Sequence, residues 1–239
     1  MTILVACGLQ REAKILGSPG VIAVAGGGDV DRLAAMLEAQ AGRAVMIVSS
    51  GIAGALDPAL RAGDVVMDLP PFVPSAVEGR ATNDAPGVST ALDTNGWGDW
   101  GERLRTALPY AHRGPIIGQD HIAVTTAEKA ALAATGALAV DMETHIAARV
   151  AARHGLPFMA IRTISDTAHE TLPPAALVGM NTDGSMALGK VLASLARRPG
   201  QLPALIRTGR SAELAFKALA NVHQELAPLW AKLLAQGSV

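Results

Sequence analysis

The feature that most constrains this chain is a set of short apolar runs that do not alternate with polar residues. "TILVA" (2–6), "VIAVA" (21–25), "AVMIVSS" (44–50), "DVVMDL" (64–69) and "FMAIRTIS" (158–165) are strand candidates bounded by Gly, Pro or Asp. Several lack a polar phase, which a strand tolerates only in a sheet covered on both faces. Helical spacing fills the gaps between them. Val30, Leu33, Ala34 and Leu37 mark one helix over 29–40. Met142, Ile146, Ala147, Val150 and Ala151 mark a second over 142–154, stopped by Gly155 and Pro157. Leu188, Val191, Leu192 and Leu195 mark a third. Strands alternating with helices predict a layered α/β fold.

Composition enters as a set of exclusions. The 239 residues suffice for a sizeable core, and 50% hydrophobic against 17% charged residues argues against disorder. A net charge of −1 gives no general attraction to nucleic acid. The single Cys7 cannot form an intramolecular disulfide. The six His show no metal-binding spacing, so neither a metal nor a cofactor is expected. With no apolar run of membrane-spanning length and no signal-like start, the chain reads as a soluble cytoplasmic protein.

Two regions depart from the alternation. Residues 70–115, rich in Pro and Gly and holding Trp97 and Trp100, read as a long surface excursion, either a lid or a solvated insertion. After Pro199, Leu214, Ala218, Val222, Leu226, Leu229 and Trp230 share a helical face, with a kink expected at Pro228. The expected division is therefore a domain over 1–199 and a helical extension over 200–239. That extension packs on the domain or a partner subunit, or lies as a peripheral helix on a membrane.

Glycine-rich segments need separate treatment. "AVAGGGDVDRL" (23–33) fails the dinucleotide fingerprint because its third position falls on Asp31, so a tight turn into a helix is expected. "SSGIAGALDPALRAGDVV" (49–66) follows a strand with a glycine turn, Gly51–Ile52–Ala53–Gly54, that allows close backbone approach to a ligand.

Three segments in order, "SGIAGALDPALRAGDVV", "AVDMETHIAARV" and "PFMAIRTISDTA", resemble the purine nucleoside phosphorylase and methylthioadenosine/S-adenosylhomocysteine nucleosidase superfamily. "CGLQREAKIL", "AGGGD" and the helical tail are similar to its hopanoid-associated phosphorylase branch, which is linked to removal of adenine from adenosylhopane. The resemblance implies a three-layer phosphorylase/hydrolase-like α/β fold, with a central mixed, twisted sheet flanked by helices and a C-terminal helical extension. It also implies a small-molecule nucleoside partner, which that branch makes lipid-linked, and at least a homodimer.

Cleaving an N-glycosidic bond to a purine requires a hydrogen bond or proton at the leaving base, support for an oxocarbenium-like ribose, and a nucleophile. The resemblance assigns the base to Asp166, oriented by Ser165; on the residues alone Asp166 is equally a helix N-cap. It assigns the ribose hydroxyls to Glu143, with Met142 against the sugar, where the residues alone allow an acid favoured by a helix dipole. Asp141 reads as the N-cap of that helix. Glu12, at the matching spacing from Gly8, corresponds to the glutamate that activates water in hydrolytic members; alone it reads as a solvated helical acid near Lys14. His121 and Ile122 occupy the base-contacting segment, although a lone His is as readily structural. The usual phosphate-binding positions read Ser49 and Ile52, leaving Arg11 or Arg162 as substitutes, so the expected nucleophile is water rather than phosphate.

Overall fold

The apolar runs become strands of one sheet, and the periodic segments become the helices that cover it. The computed structural model describes residues 1–70, 99–181 and 183–236. In chain order the first half gives β1 (Thr2–Cys7), α1 (Gln10–Leu16), β2 (Val21–Ala25), α2 (Val30–Ala41), β3 (Ala44–Ala55) and β4 (Val65–Asp68). There follow α3 (Asp99–Ala107), β5 (His112–Arg113), β6 (Ile116–Gly118), α4 (Thr126–Ala133), β7 (Ala139–Asp141), α5 (Thr144–His154) and β8 (Phe158–Asp166). The chain continues through α6 (Pro174–Leu177), α7 (Leu188–Arg197), a 3-10 turn (Pro199–Gln201) and α8 (Leu202–Gln236).

The strands run in the order β2-β1-β3-β8-β4-β5, while β7 pairs with both the far end of β3 and β6. Strands β1, β2, β3 and β8 are mutually parallel where they pair; β4 lies antiparallel to β8, and β7 antiparallel to β3. The sheet is therefore mixed. Alternate residues of each strand feed opposite cores. Ile3, Val5, Met46, Val48, Met159 and Ile161 pack on one face against Phe216, Leu219, Val222, Leu226 and Trp230 of α8. Leu4, Ala6 and Ile47 pack on the other against Leu33 and Leu37 of α2 and Ile146 and Val150 of α5. Burial on both faces is why these strands carry no polar phase.

Two details differ from the sequence reading. "SSGIAGA" is not a turn: β3 runs unbroken to Ala55, because Gly51 to Gly54 pair in register with Arg162 to Asp166 of β8. Within 70–115, Asp99–Ala107 is helical and buries Leu104, a spacing hidden behind the Trp and Gly residues around it; Trp97 lies outside the described residues. The tail helix continues through Pro228, with Leu226 and Trp230 buried on either side of the missing backbone donor. The "AGGGD" segment is the expected tight turn, with Gly27 and Gly28 at φ +69° and +77° and Asp29 capping α2 through the Arg32 amide.

Because α8 supplies much of one core, it is a structural layer of the fold. Leu219→Ala is expected to cost about 2–5 kcal/mol in urea unfolding, the usual range for emptying a fully buried leucine site. A loss below about 1 kcal/mol would show that the sheet is stable without that packing.

Candidate active site

The sheet gathers its buried charges around the second half of β3. That strand contributes two glycines, and each faces a carboxylate. A Cβ on Gly51 would lie 2.6 Å from Glu12 Oε1 and 2.8 Å from Arg162 Nη1. A Cβ on Gly54 would lie 3.1 Å from Asp166 Oδ2. A third glycine, Gly8 at the end of β1, faces the remaining acid: its Cβ would lie 2.7 Å from Glu143 Oε1. Side chains at these positions would occupy the space the carboxylates use.

Glu12 is buried at the start of α1 rather than solvated. Its Oε2 accepts from the Gly8 and Leu9 amides, both at 2.8 Å, and its Oε1 accepts from the Ile52 amide at 2.8 Å. The acid thus joins β1, α1 and β3. Burial raises its pKa above the carboxylate range, opposed by Arg162 and by these amides.

Glu143 follows β7 and begins α5. It is buried with its Oε2 3.4 Å from Arg162 Nη2. Desolvation, reinforced by the like charges of Asp141 and Glu12 and opposed by Arg162, raises its pKa to about 8. Met142 beside it is half-buried, and its Cε approaches Gly28 together with that of Met180.

Arg162, in the middle of β8 and fully buried, is the cation of this cluster. Its Nε lies 2.6 Å from Asp141 Oδ2, and its Nη2 donates to Ser49 Oγ at 2.5 Å. Nη1, beside Gly51, finds no protein acceptor among the described residues. Asp141 has two tasks. Its Oδ1 accepts from the Glu143 and Thr144 amides at 2.9 and 2.8 Å, which caps α5, and its Oδ2 holds Arg162.

Asp166 stands at the end of β8, and no helix begins there for it to cap. Ala53 pairs with Ile164 and Gly54 with Asp166, so Ser165 is an extra residue that bulges β8 and re-aims the acid. Ser165 Oγ lies 2.8 Å from Asp166 Oδ1 and 3.1 Å from the Ala53 carbonyl. Asp166 Oδ2 accepts from Lys129 Nζ at 2.5 Å. Lys129, fully buried on α4, gives its other two protons to the Thr167 and Glu170 carbonyls at 2.7 and 2.9 Å.

The remaining candidates fall outside these two clusters. His121 is exposed and Ile122 half-buried on the loop between β6 and α4, and no hydrogen bond joins His121 to the three carboxylates. Arg11 points away from them: it forms a two-pronged ion pair with Glu213 of α8 and stacks on Phe216. Cys7 is buried, and desolvation pushes its thiol pKa up, which removes it as a nucleophile. Sequence reasoning missed Lys129 and the second task of Asp141. Nothing local marks Lys129; only the packing of α4 against the end of β8 does. Arg162 did carry a signal, since an arginine inside a strand buried on both faces has to be paired.

A family model described as the Phosphorylase superfamily matches residues 71–197. The chain belongs to that superfamily, and membership places it among enzymes of the nucleosidase and nucleoside phosphorylase class. No curated protein sequence gives a significant match. Among solved structures, the 5′-methylthioadenosine/S-adenosylhomocysteine nucleosidase of Helicobacter pylori, bound to butyl-thio-DADMe-Immucillin-A, is similar at 16% identity and TM-score 0.54, over 95% of this chain and 99% of that one. The Streptococcus pneumoniae enzyme with the transition-state inhibitor MT-ImmA is similar at 17% identity and TM-score 0.52, over 95% and 100%. The Colwellia psychrerythraea nucleosidase in complex with adenine gives 18% and 0.55, over 95% and 96%. At these identities the likeness is one of fold.

The raised pKa of Glu143 sets a pH dependence. The folded protein holds this proton up to about 8, whereas the unfolded chain releases it near 4.5. Its contribution to stability is therefore present below about 4.5 and is lost as pH rises through about 8. Thermal unfolding across that interval is expected to show a smaller fall with pH for Glu143→Gln than for the parent. Equal slopes would contradict the assignment.

Proposed function

We propose that the protein cleaves the N-glycosidic bond of an adenine nucleoside by hydrolysis, and that its substrate carries a large apolar 5′ substituent, with adenosylhopane as the preferred case. The observation that carries the reading is the division of buried charge along β3. Gly51 faces Glu12 and Arg162, and Gly54, three residues on, faces Asp166. Three residues of strand span roughly 10 Å, a separation that suits a ribose at one end and a purine at the other.

In this reading Asp166 acts as the general acid that passes a proton to the departing purine, with Lys129 and Ser165 fixing its two oxygens. Glu143 hydrogen-bonds the ribose hydroxyls and, once ionised, offsets the positive charge that develops on the sugar. Glu12 takes a proton from the attacking water, which the unpaired Nη1 of Arg162 helps to orient. Water is favoured over phosphate by local charge: among the described residues, the guanidinium at this position already faces Asp141, Glu143 and Glu12. A phosphate dianion would add two negative charges to a cluster that already sets three acids against one guanidinium, and Arg11 is engaged by Glu213. The likeness of fold to nucleosidases bound to adenine and to adenosine-like inhibitors supports the choice of an adenine nucleoside. The thioethers of Met142 and Met180, converging on Gly28, offer an apolar wall suited to a lipid-like 5′ group. A second reading, a methylthioadenosine/S-adenosylhomocysteine nucleosidase, is favoured by the same likeness of fold.

Adenosylhopane, methylthioadenosine and inosine, each offered with and without phosphate, separate these readings through the free base and the sugar product. The expected result is adenine from adenosylhopane with or without phosphate, and no sugar 1-phosphate. Preference for methylthioadenosine would favour the second reading, and a phosphate-dependent 1-phosphate would overturn hydrolysis. Asp166→Asn is expected to lower turnover on the order of a hundredfold or more, as loss of a positioned proton-handling group does.

A further inference from the structure

α7 buries none of its residues, although its sequence, "LGKVLASLAR", is strongly amphipathic. Leu188 and Leu192, one turn apart, are 61% and 64% exposed, and Met186 just before them is 64% exposed. The apolar surface continues onto the first turns of α8, where Leu202 and Ile206 are 43% and 46% exposed. Polar contacts hold this corner in place. Gln201 accepts from the Ala175 amide of α6 at 2.8 Å and donates to the Ser194 carbonyl of α7 at 2.9 Å. The leucines are thus held at the surface on a fixed corner of the fold.

Charge identifies what such a surface fits. Lys190, Arg197, Arg198, Arg207 and Arg210 lie in this stretch, and no Asp or Glu occurs from residue 184 to 212. Among the described residues, Arg207 is the one of the five in an ion pair, with Glu170 at 3.6 Å in an exposed contact. On α7, Leu188 and Leu192 lie on one side of the helix and Lys190 and Arg197 on the opposite side, all four exposed. This is the pattern of a helix lying in a membrane interface, with leucines in the acyl boundary and long basic side chains reaching the headgroups. A second copy of the chain fits less well, because a two-fold contact sets the same patch against itself and brings five cations toward five. Among the described residues no helix is long and apolar enough to cross a membrane, so the contact would be peripheral.

We propose that α7 and the first turns of α8 form a docking surface for an anionic lipid bilayer. The surface adjoins the candidate active site. Met186 forms a backbone bridge with Met180, whose Cε reaches Gly28 beside Met142. The Gly184 carbonyl accepts from the Gln10 amide of α1 at 2.9 Å, on the helix that carries Glu12. Docking through α7 therefore sets the Met142 and Met180 side of the site close to the bilayer. The proposal goes beyond the reading of the reaction and does not rest on the substrate's identity.

Flotation of the full chain with phosphatidylglycerol-containing vesicles tests it, against neutral phosphatidylcholine vesicles and at high salt. The parent is expected to float with the anionic vesicles, weakly with the neutral ones, and less as salt rises. Leu188→Gln with Leu192→Gln, and separately Arg197→Glu with Arg198→Glu, are each expected to weaken binding by about tenfold or more, with the thermal midpoint of the parent retained. A parent that does not float, or variants that float as well as the parent, would overturn the proposal. So would a leucine variant that changes only from multimer to monomer in sedimentation, which would assign the face to a second copy.

Discussion

The buried guanidinium of Arg162 is the interaction on which the rest of the site depends. It lies in the centre of β8, fully removed from water, and is drawn toward Asp141, Glu143 and Glu12. A lone buried charge of either sign would cost several kcal/mol, so the cation and the acids require one another. Their proximity in turn requires small neighbours. Gly51 and Gly8 leave the room that Glu12 and Glu143 occupy, and Ser49 supplies a hydroxyl where a larger residue would intrude. One cation does not fully compensate three acids, which is why burial leaves Glu12 and Glu143 with raised pKa values.

The second charged pair is separate and simpler. Lys129 and Asp166 meet at the far end of β8, where the bulge at Ser165 changes the direction of the strand. Lys129 is saturated by one carboxylate and two carbonyls, so it fixes Asp166 without itself being available to a ligand. The two pairs therefore differ in kind. Around Arg162 there are three acids to one cation and, among the described residues, a donor without a partner; around Asp166 there is a locked, one-to-one contact. A site with these two ends can treat the two ends of a nucleoside differently, and β3 sets their spacing.

Much of this was legible in the sequence, and what was not has identifiable physical causes. Apolar runs without alternation announced a sheet covered on both faces, and Gly155 announced the end of α5. The extension of β3 through Gly51 and Gly54 was hidden because glycine marks a turn and a close approach equally well; only pairing with β8 decides between them. The segments "AVDMETHIAARV", "PFMAIRTISDTA" and "CGLQREAKIL" located Glu143, Asp166 and Glu12 as candidates. They gave no account of the second oxygen of Asp141, which holds Arg162 across 21 residues of chain. Lys129 was invisible for the same reason at 37 residues' separation from Asp166. The periodicity of Leu188, Val191, Leu192 and Leu195 announced α7 but not its exposure, because spacing reports amphipathicity and not what covers it.

The central claim is that Arg162 organises the nucleophile and ribose end of a nucleoside site while the purine end is held independently. The most direct test is single-turnover adenine release by Arg162→Met, measured beside the affinity of the same variant for adenine. The account predicts a fall in rate of roughly a hundredfold to a thousandfold, as when one preorganised electrostatic group is removed, with adenine affinity within a few fold of the parent. Release at a rate within a few fold of the parent would contradict it.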